Sequence, residues 1–193
     1  MATNTDAVEL VGEQTVGNIA RAALFAALTG VFAYVSFQLP VTSVPFTLQV
    51  LGVFLAGLFL GPVWGFASLG LYLVAGAAGA PVFAYGASGV GSLFTQWSGY
   101  LWSYPIAAGV LGLIVHGTDG VGNPADASML RLLAGLVAAT LIVYTFGTLG
   151  YAYVGDVGLL AAVFAAAVPF VPAEIIKAAV AIAIVRSDEI VAA

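Results

Sequence analysis

The sequence predicts an all-α, polytopic membrane protein: one integral domain over residues 1–193, with six transmembrane helices and both termini cytoplasmic. Three observations carry this. Of 193 residues, 62% are hydrophobic and only 7% are charged, against about 25% charged in a soluble domain. Mean hydropathy is +1.12, so lipid is the solvent for most of the surface. The apolar residues fall into runs of about spanning length, punctuated by Pro and Gly. The same numbers exclude an ordinary cytosolic enzyme, a disordered segment and, with four Lys+Arg in all, a nucleic-acid binder. Zero Cys removes disulfides, thiol nucleophiles and cysteinyl metal sites.

Residues 1–17 read as a solvated tail: Asp6, Glu9 and Glu13 interrupt any apolar run, and the basic region of a cleaved signal peptide is missing. The first span covers 18–39, with Arg21 near its start and Pro40 just beyond it. Pro40 to Thr47 is too proline-rich for a helix and reads as a loop. Spans two and three, 48–60 and 63–75, are joined by a tight turn at Gly61-Pro62. Residues 76–98 are apolar but broken by glycines and Pro81, and form a long ordered loop and candidate ligand lid. Irregular backbone at membrane depth persists only where protein or a wet cavity satisfies it.

Span four covers 99–115 and ends at His116, read as structural. The polar segment 117–127 is an aqueous loop, after which Ser128 caps span five, 128–153. Asp156 marks a return to water. Beyond it, two readings are open: one kinked helix over 159–186, or a short outer segment followed by a last span from Pro172. The second is preferred, because proline suits a first helical position. With the amino terminus cytoplasmic, Arg21, Arg131 and Arg186 all fall at cytoplasmic ends. The loops at 40–47 and 76–98 and the Asp156 region then share the outside.

The sharpest chemical signal is Pro169-Phe170-Val171-Pro172-Ala173-Glu174-Ile175-Ile176-Lys177, which holds the only lysine of the chain. On a helix, Glu174 and Lys177 share one face. Ionisable groups at membrane depth cost about 2.5 kcal/mol or more and usually face a bundle interior. A functional pair is therefore favoured over one that snorkels at a helix end. Val44-Pro45-Phe46-Thr47-Leu48-Gln49 sets hydroxyl and amide groups at the membrane boundary, with helix capping by Thr47 an equal reading. Phe83, Tyr85, Trp97, Tyr100, Trp102 and Tyr104 form either an interfacial belt or the wall of a small-molecule pocket. Small residues recur at fourfold spacing in Ala22, Ala26, Gly30 and in Gly57, Gly61, Gly65, faces that let helices approach closely. No Gly-x-x-x-x-Gly-Lys motif exists for ATP, and no catalytic set or metal-ligand pattern stands out. An intramembrane enzyme, the competing class, would show several converging ionisable residues; only Glu174 and Lys177 do so.

In order along the chain, Val44 to Gln49, Leu55-Ala56-Gly57-Leu58-Phe59-Leu60-Gly61-Pro62, Ser68, Tyr72-Leu73, Gly76, Gly79, Pro81-Val82-Phe83-Ala84, Gly99-Tyr100-Leu101, Pro169 to Pro172 and Lys177 resemble the BioY biotin-transporter family. These are substrate-binding S components of energy-coupling factor (ECF) transporters. The resemblance spans about residues 20–186, nearly the whole chain. It implies a multi-pass protein of a prokaryotic plasma membrane, with a vitamin pocket near the outer face and outer loops over bound biotin, the alternative ligand being another small vitamin or related compound. It also implies partners: a transmembrane coupling subunit and two ATPase subunits. In the family the last motif usually reads Pro-Gly-Asp followed by a lysine, the acid and lysine contributing polar contacts to the ligand. Here the positions hold Ala173, Glu174 and Lys177, an acid one methylene longer. Where the family typically has Gly-Pro-Thr-Gly-Gly-Tyr, this chain has Thr95-Gln96-Trp97-Ser98-Gly99-Tyr100. The expected ligand set is Glu174, Lys177, Gln49 and Tyr85 for polar contacts, with Phe46, Phe83, Trp97 and Tyr100 as apolar walls. The expected docking face for the coupling subunit is Ala22, Ala26 and Gly30. No cofactor or metal is expected.

Overall fold

The computed structural model describes residues 12–38, 40, 42–118 and 120–187. The chain runs α1 (Glu13–Tyr34), β1 (Ser36–Gln38), β2 (Pro45–Thr47), α2 (Gln49–Ala77), α3 (Ser98–His116), α4 (Met129–Gly155), α5 (Leu159–Ala166) and α6 (Val171–Arg186). Among the described residues, five helical stretches are long and apolar enough to cross a bilayer: α1, α2, α3, α4 and the joined run Leu159–Arg186. Of the expected tail, residues 1–11 lie outside the described residues, while 13–17 already belong to α1.

The count of five differs from the expected six because spans two and three form one element, α2, which folds back on itself. Gly61 sits at φ 71° and ψ −170° inside it, a conformation open to glycine and poor for residues with a Cβ. Pro62 then opens the second arm, where a missing N–H costs nothing. In a straight helix Ala56 and Gly65 would be roughly 13 Å apart. Instead a Cβ placed on Gly65 would lie 3.1 Å from the Ala56 carbonyl oxygen and 3.3 Å from the Gly57 Cα. Gln49 at one end of the hairpin reaches Tyr72 at the other.

The expected all-α class holds, with one short β ribbon as a local exception. Span one ends at Tyr34, and the segment expected as its last turn forms β1, paired antiparallel with β2 in the register Phe37↔Phe46. Pro40 and Pro45 forbid a helix here, and the short ribbon pairs backbone that would otherwise stay unsatisfied. The rings of Phe37 and Phe46 stack at 4.5 Å.

The residues expected as a docking face lie on the inner side of α1. Ala22, Ala26 and Gly30 are buried inside the protein. The Ser68 hydroxyl donates to the Ala22 carbonyl at 2.7 Å, and a Cβ on Gly30 would meet Val82 at 3.0 Å. Without a hydrophobic drive between helices in lipid, small faces that allow close approach are what associate. On this chain the Ala22 stripe is used against α2, and Ala20, Ala23 and Ala27 are the alanines that α1 exposes.

Ser128 caps α4 by accepting the Arg131 N–H at 3.3 Å. The Leu159–Arg186 run is broken at Ala167 (φ −127°, ψ −57°), and α6 starts at Val171 with Pro172 in its first turn. At this end of the bundle Arg186 donates to the carbonyls of Ala125 and Ala127. His116 bonds the Leu58 carbonyl at 2.7 Å, and Val121 packs on the Gly61 turn. The opposite end holds the β ribbon and the 78–97 loop. There the Tyr34 hydroxyl donates to the Pro81 carbonyl at 2.6 Å, and Gly89 N–H donates to the Gly76 carbonyl at 2.7 Å.

Candidate functional site

A cleft opens among these elements. Its walls come from β2 and the start of α2, the 78–97 loop, and α3, α4 and α6.

Glu174 and Lys177 occupy the opening turns of α6, where a carboxylate is favoured by the free N–H groups of the helix start. Glu174 and Lys177 are only 4% and 5% exposed. Lys177 Nζ donates to Glu174 Oε1 at 2.7 Å, the single ion pair recorded among the described residues. The Tyr144 hydroxyl, from α4, donates to the same oxygen at 2.8 Å. Lys177 Nζ also lies 4.8 Å from the centre of the Phe46 ring, a cation–π contact. Phe46 is held in turn between Phe37 and Phe170, with its ring 6.0 Å from the latter.

Gln49 anchors the other side. Its Oε1 accepts from Thr47 Oγ1 at 2.9 Å, its backbone N–H donates to the same hydroxyl at 3.2 Å, and its Nε2 donates to Tyr72. Tyr72 passes the chain on to the Val82 carbonyl at 3.0 Å, tying the loop to α2. Leu48, not Thr47, is the N-cap of α2 and no side chain caps it; the Thr47 hydroxyl instead takes the Gln49 N–H in a local turn and orients the Gln49 amide. Two positions of that amide are engaged, and a second N–H and a second lone pair are left over. Tyr100 is pinned by its hydroxyl bond to the Ala166 carbonyl and by its ring lying over Gly147.

Two buried polar atoms on the cleft-lining residues have no hydrogen-bond partner among the described residues: Trp97 Nε1 and Glu174 Oε2. Such an orphan costs about 1–3 kcal/mol each. One is a donor and the other an acceptor. Around them the lining is mainly apolar, with Phe83, Leu101 and Phe170 among its residues.

Of the residues expected from the sequence, Gln49, Phe83, Trp97, Tyr100, Glu174 and Lys177 line the cleft. Phe46 stands just behind the wall, touching it through Lys177 and Phe170. Tyr85 does not line it. Tyr85 is 53% exposed, in a left-handed conformation (φ 58°) within the turn Ala84–Gly86 that carries its side chain outward. Trp97, expected only as an apolar wall, adds an unpaired indole N–H. Tyr144 escaped the sequence reading altogether. The one available signal was a phenol in the middle of an apolar helix, where a hydroxyl needs a partner.

Buried ion pair, phenol and unpaired donor and acceptor, held between apolar helices, define a multi-pass membrane protein with an internal binding cleft for a small polar-headed molecule. The fold is that of a known class. A crystal structure of the S-component for biotin from an ECF-type ABC transporter superposes with a TM-score of 0.81, covering 92% of this chain and 93% of its own, at 23% identity. The model of the BioY family matches residues 3–191, and the chain belongs to that family. Its relatives include the probable biotin transporter BioY of Pyrococcus horikoshii, 38% identical over 162 residues, 84% of this chain and 90% of the relative. The biotin transporter BioY of Thermotoga maritima is 36% identical over 163 residues, 83% of this chain and 89% of the relative. That of Bacillus subtilis, a probable biotin transporter BioY, is 34% identical over 160 residues, 82% of each chain.

Proposed function

We propose that this chain is the membrane-embedded, substrate-binding component of a biotin uptake system, and that it holds biotin in the cleft. The observation that carries the reading is the unpaired pair, Glu174 Oε2 and Trp97 Nε1, buried in an otherwise mostly apolar pocket. The ureido ring of biotin offers N–H donors and a carbonyl acceptor of complementary sense. Its ring sulfur and alkyl chain suit walls such as Phe83, Tyr100 and Phe170. Gln49 and Lys177 supply the further polar contacts, and Phe46 backs Lys177.

In this reading the chain is a single integral domain of a prokaryotic plasma membrane. Counting the two arms of α2 as separate crossings gives six, and both termini face the cytoplasm. Arg21, Arg131 and Arg186 are then positive-inside residues. The cleft faces outward under the β ribbon and the 78–97 loop. Uptake against a gradient requires a coupling subunit and two ATPase subunits, since this sequence has no Gly-x-x-x-x-Gly-Lys motif of its own.

Calorimetry on the purified protein in detergent is expected to show saturable, one-to-one binding of biotin. Absence of binding by protein that melts cooperatively would overturn the assignment.

A further inference from the structure

The two oxygens of Glu174 stand in different surroundings. Oε1 accepts from Lys177 Nζ at 2.7 Å and from the Tyr144 hydroxyl at 2.8 Å. Oε2 is buried and has no partner among the described residues. Lys177 sits one turn along the same helix, and an ammonium with three donors can serve either oxygen. Lys177 alone therefore does not decide which oxygen stays free. Tyr144 does, because it approaches from α4 and offers a single O–H along one direction. Its ring is held by Tyr100, edge-on at 5.9 Å, and by Phe170 at 6.1 Å. Tyr100 is fixed through the Ala166 carbonyl.

We infer that Tyr144 is a positioning residue that sets the selectivity of the cleft: by engaging Oε1 it keeps Glu174 Oε2 as an acceptor for a ligand N–H. The inference rests on the proposal that the cleft holds biotin with its ureido end toward Glu174. A carboxylate facing Oε2 would set two anions together, while a cyclic urea brings the donor that this oxygen lacks. A site built to accept from a ligand N–H discriminates strongly against an isostere without it, because the acceptor is then left unpaired.

The test compares biotin with its cyclic carbonate analogue, in which both ureido N–H groups are replaced by ring oxygens of similar size. Affinities are measured by calorimetric competition. The wild-type protein is expected to prefer biotin by on the order of 100-fold. Tyr144→Phe keeps the ring and removes the hydroxyl. It is expected to weaken biotin about tenfold and to leave the analogue unchanged, so the preference shrinks by the same factor. In a Glu174→Gln background, where an amide N–H2 stands in the place of Oε2, adding Tyr144→Phe is expected to change the preference no further. Equal weakening of both ligands would reduce Tyr144 to a structural support and overturn the inference alone, as would an unchanged preference. Failure of the wild-type protein to bind biotin would overturn the inference together with the function it rests on. Should Tyr144→Phe prove unstable, the wild-type preference and its loss in Glu174→Gln still decide whether the carboxylate accepts from a ligand N–H.

Discussion

Lys177→Ala is expected to abolish measurable biotin binding, with a loss of at least about 100-fold, and to lower the stability of the protein. Both effects follow from the burial of the pair at 4% and 5% exposure. Removing one partner of a buried ion pair leaves the other charge without compensation, at a cost of roughly 3–5 kcal/mol. Tyr144 still donates to Glu174 Oε1, but a phenol carries no charge to offset the carboxylate. Phe46 loses its cation at the same time, worth about 0.5–2 kcal/mol, and the ribbon loses a tie to α6. A comparison separates stability from binding. Lys177→Met keeps the apolar stem, and the double variant Glu174→Gln/Lys177→Met removes both charges. The double variant is expected to recover most of the melting temperature and none of the affinity. Calorimetry and thermal melting in the same detergent read the two effects. Full affinity in Lys177→Ala would remove this residue from the site.

Gly112→Val is expected to be among the most damaging substitutions outside the cleft. Gly112 of α3 lies directly against the backbone of the α2 turn: a Cβ there would sit 2.6 Å from Pro62 N and 2.7 Å from the Gly61 carbonyl oxygen. The obstacle is main chain at a turn, so no rotamer change relieves it. Overpacking where side chains can move costs about 1–3 kcal/mol, and this site lies at or above the top of that range. At roughly 2–4 °C per kcal/mol for a chain of this size, the melting temperature falls by about 10 °C or the protein does not accumulate. Gly70→Val is the control. Gly70 has nothing within 4 Å of its Cβ position, and that variant is expected to melt like the parent. A normal melting temperature for Gly112→Val would contradict the hairpin packing of α2 on α3.

Where one side chain breaks a strong local rule, the sequence was informative about the site. The single lysine, three residues from a glutamate in an apolar segment, avoids lipid by facing the interior rather than by snorkelling at a helix end, and both residues are buried. Gly61-Pro62 announces a reversal by itself, since one residue frees φ and the next removes an N–H. The β ribbon was less visible. Its prolines exclude a helix, but pairing between Ser36–Gln38 and Pro45–Thr47 is decided by which strand lies opposite. Tyr144 was invisible for a related reason: its partner Glu174 lies 30 residues away. Tyr85 was drawn in by its aromatic neighbours, while its backbone conformation turns it out of the cleft.

The small residues of α1 show the same division. Ala22/Ala26 and Ala23/Ala27 are equivalent as spacings, one residue apart on the helix. Burial against α2 separates them, and the Ala22 stripe is the one used internally. Scarcity of charge by itself determined the solvent, the class of fold and the residues around which a site had to form, because each charge placed in lipid carries a large penalty. Only the tertiary structure decided which face of a helix is used inside the protein and which oxygen of Glu174 is left without a donor. Those outcomes depend on directions between elements distant in sequence, and local spacing does not encode them.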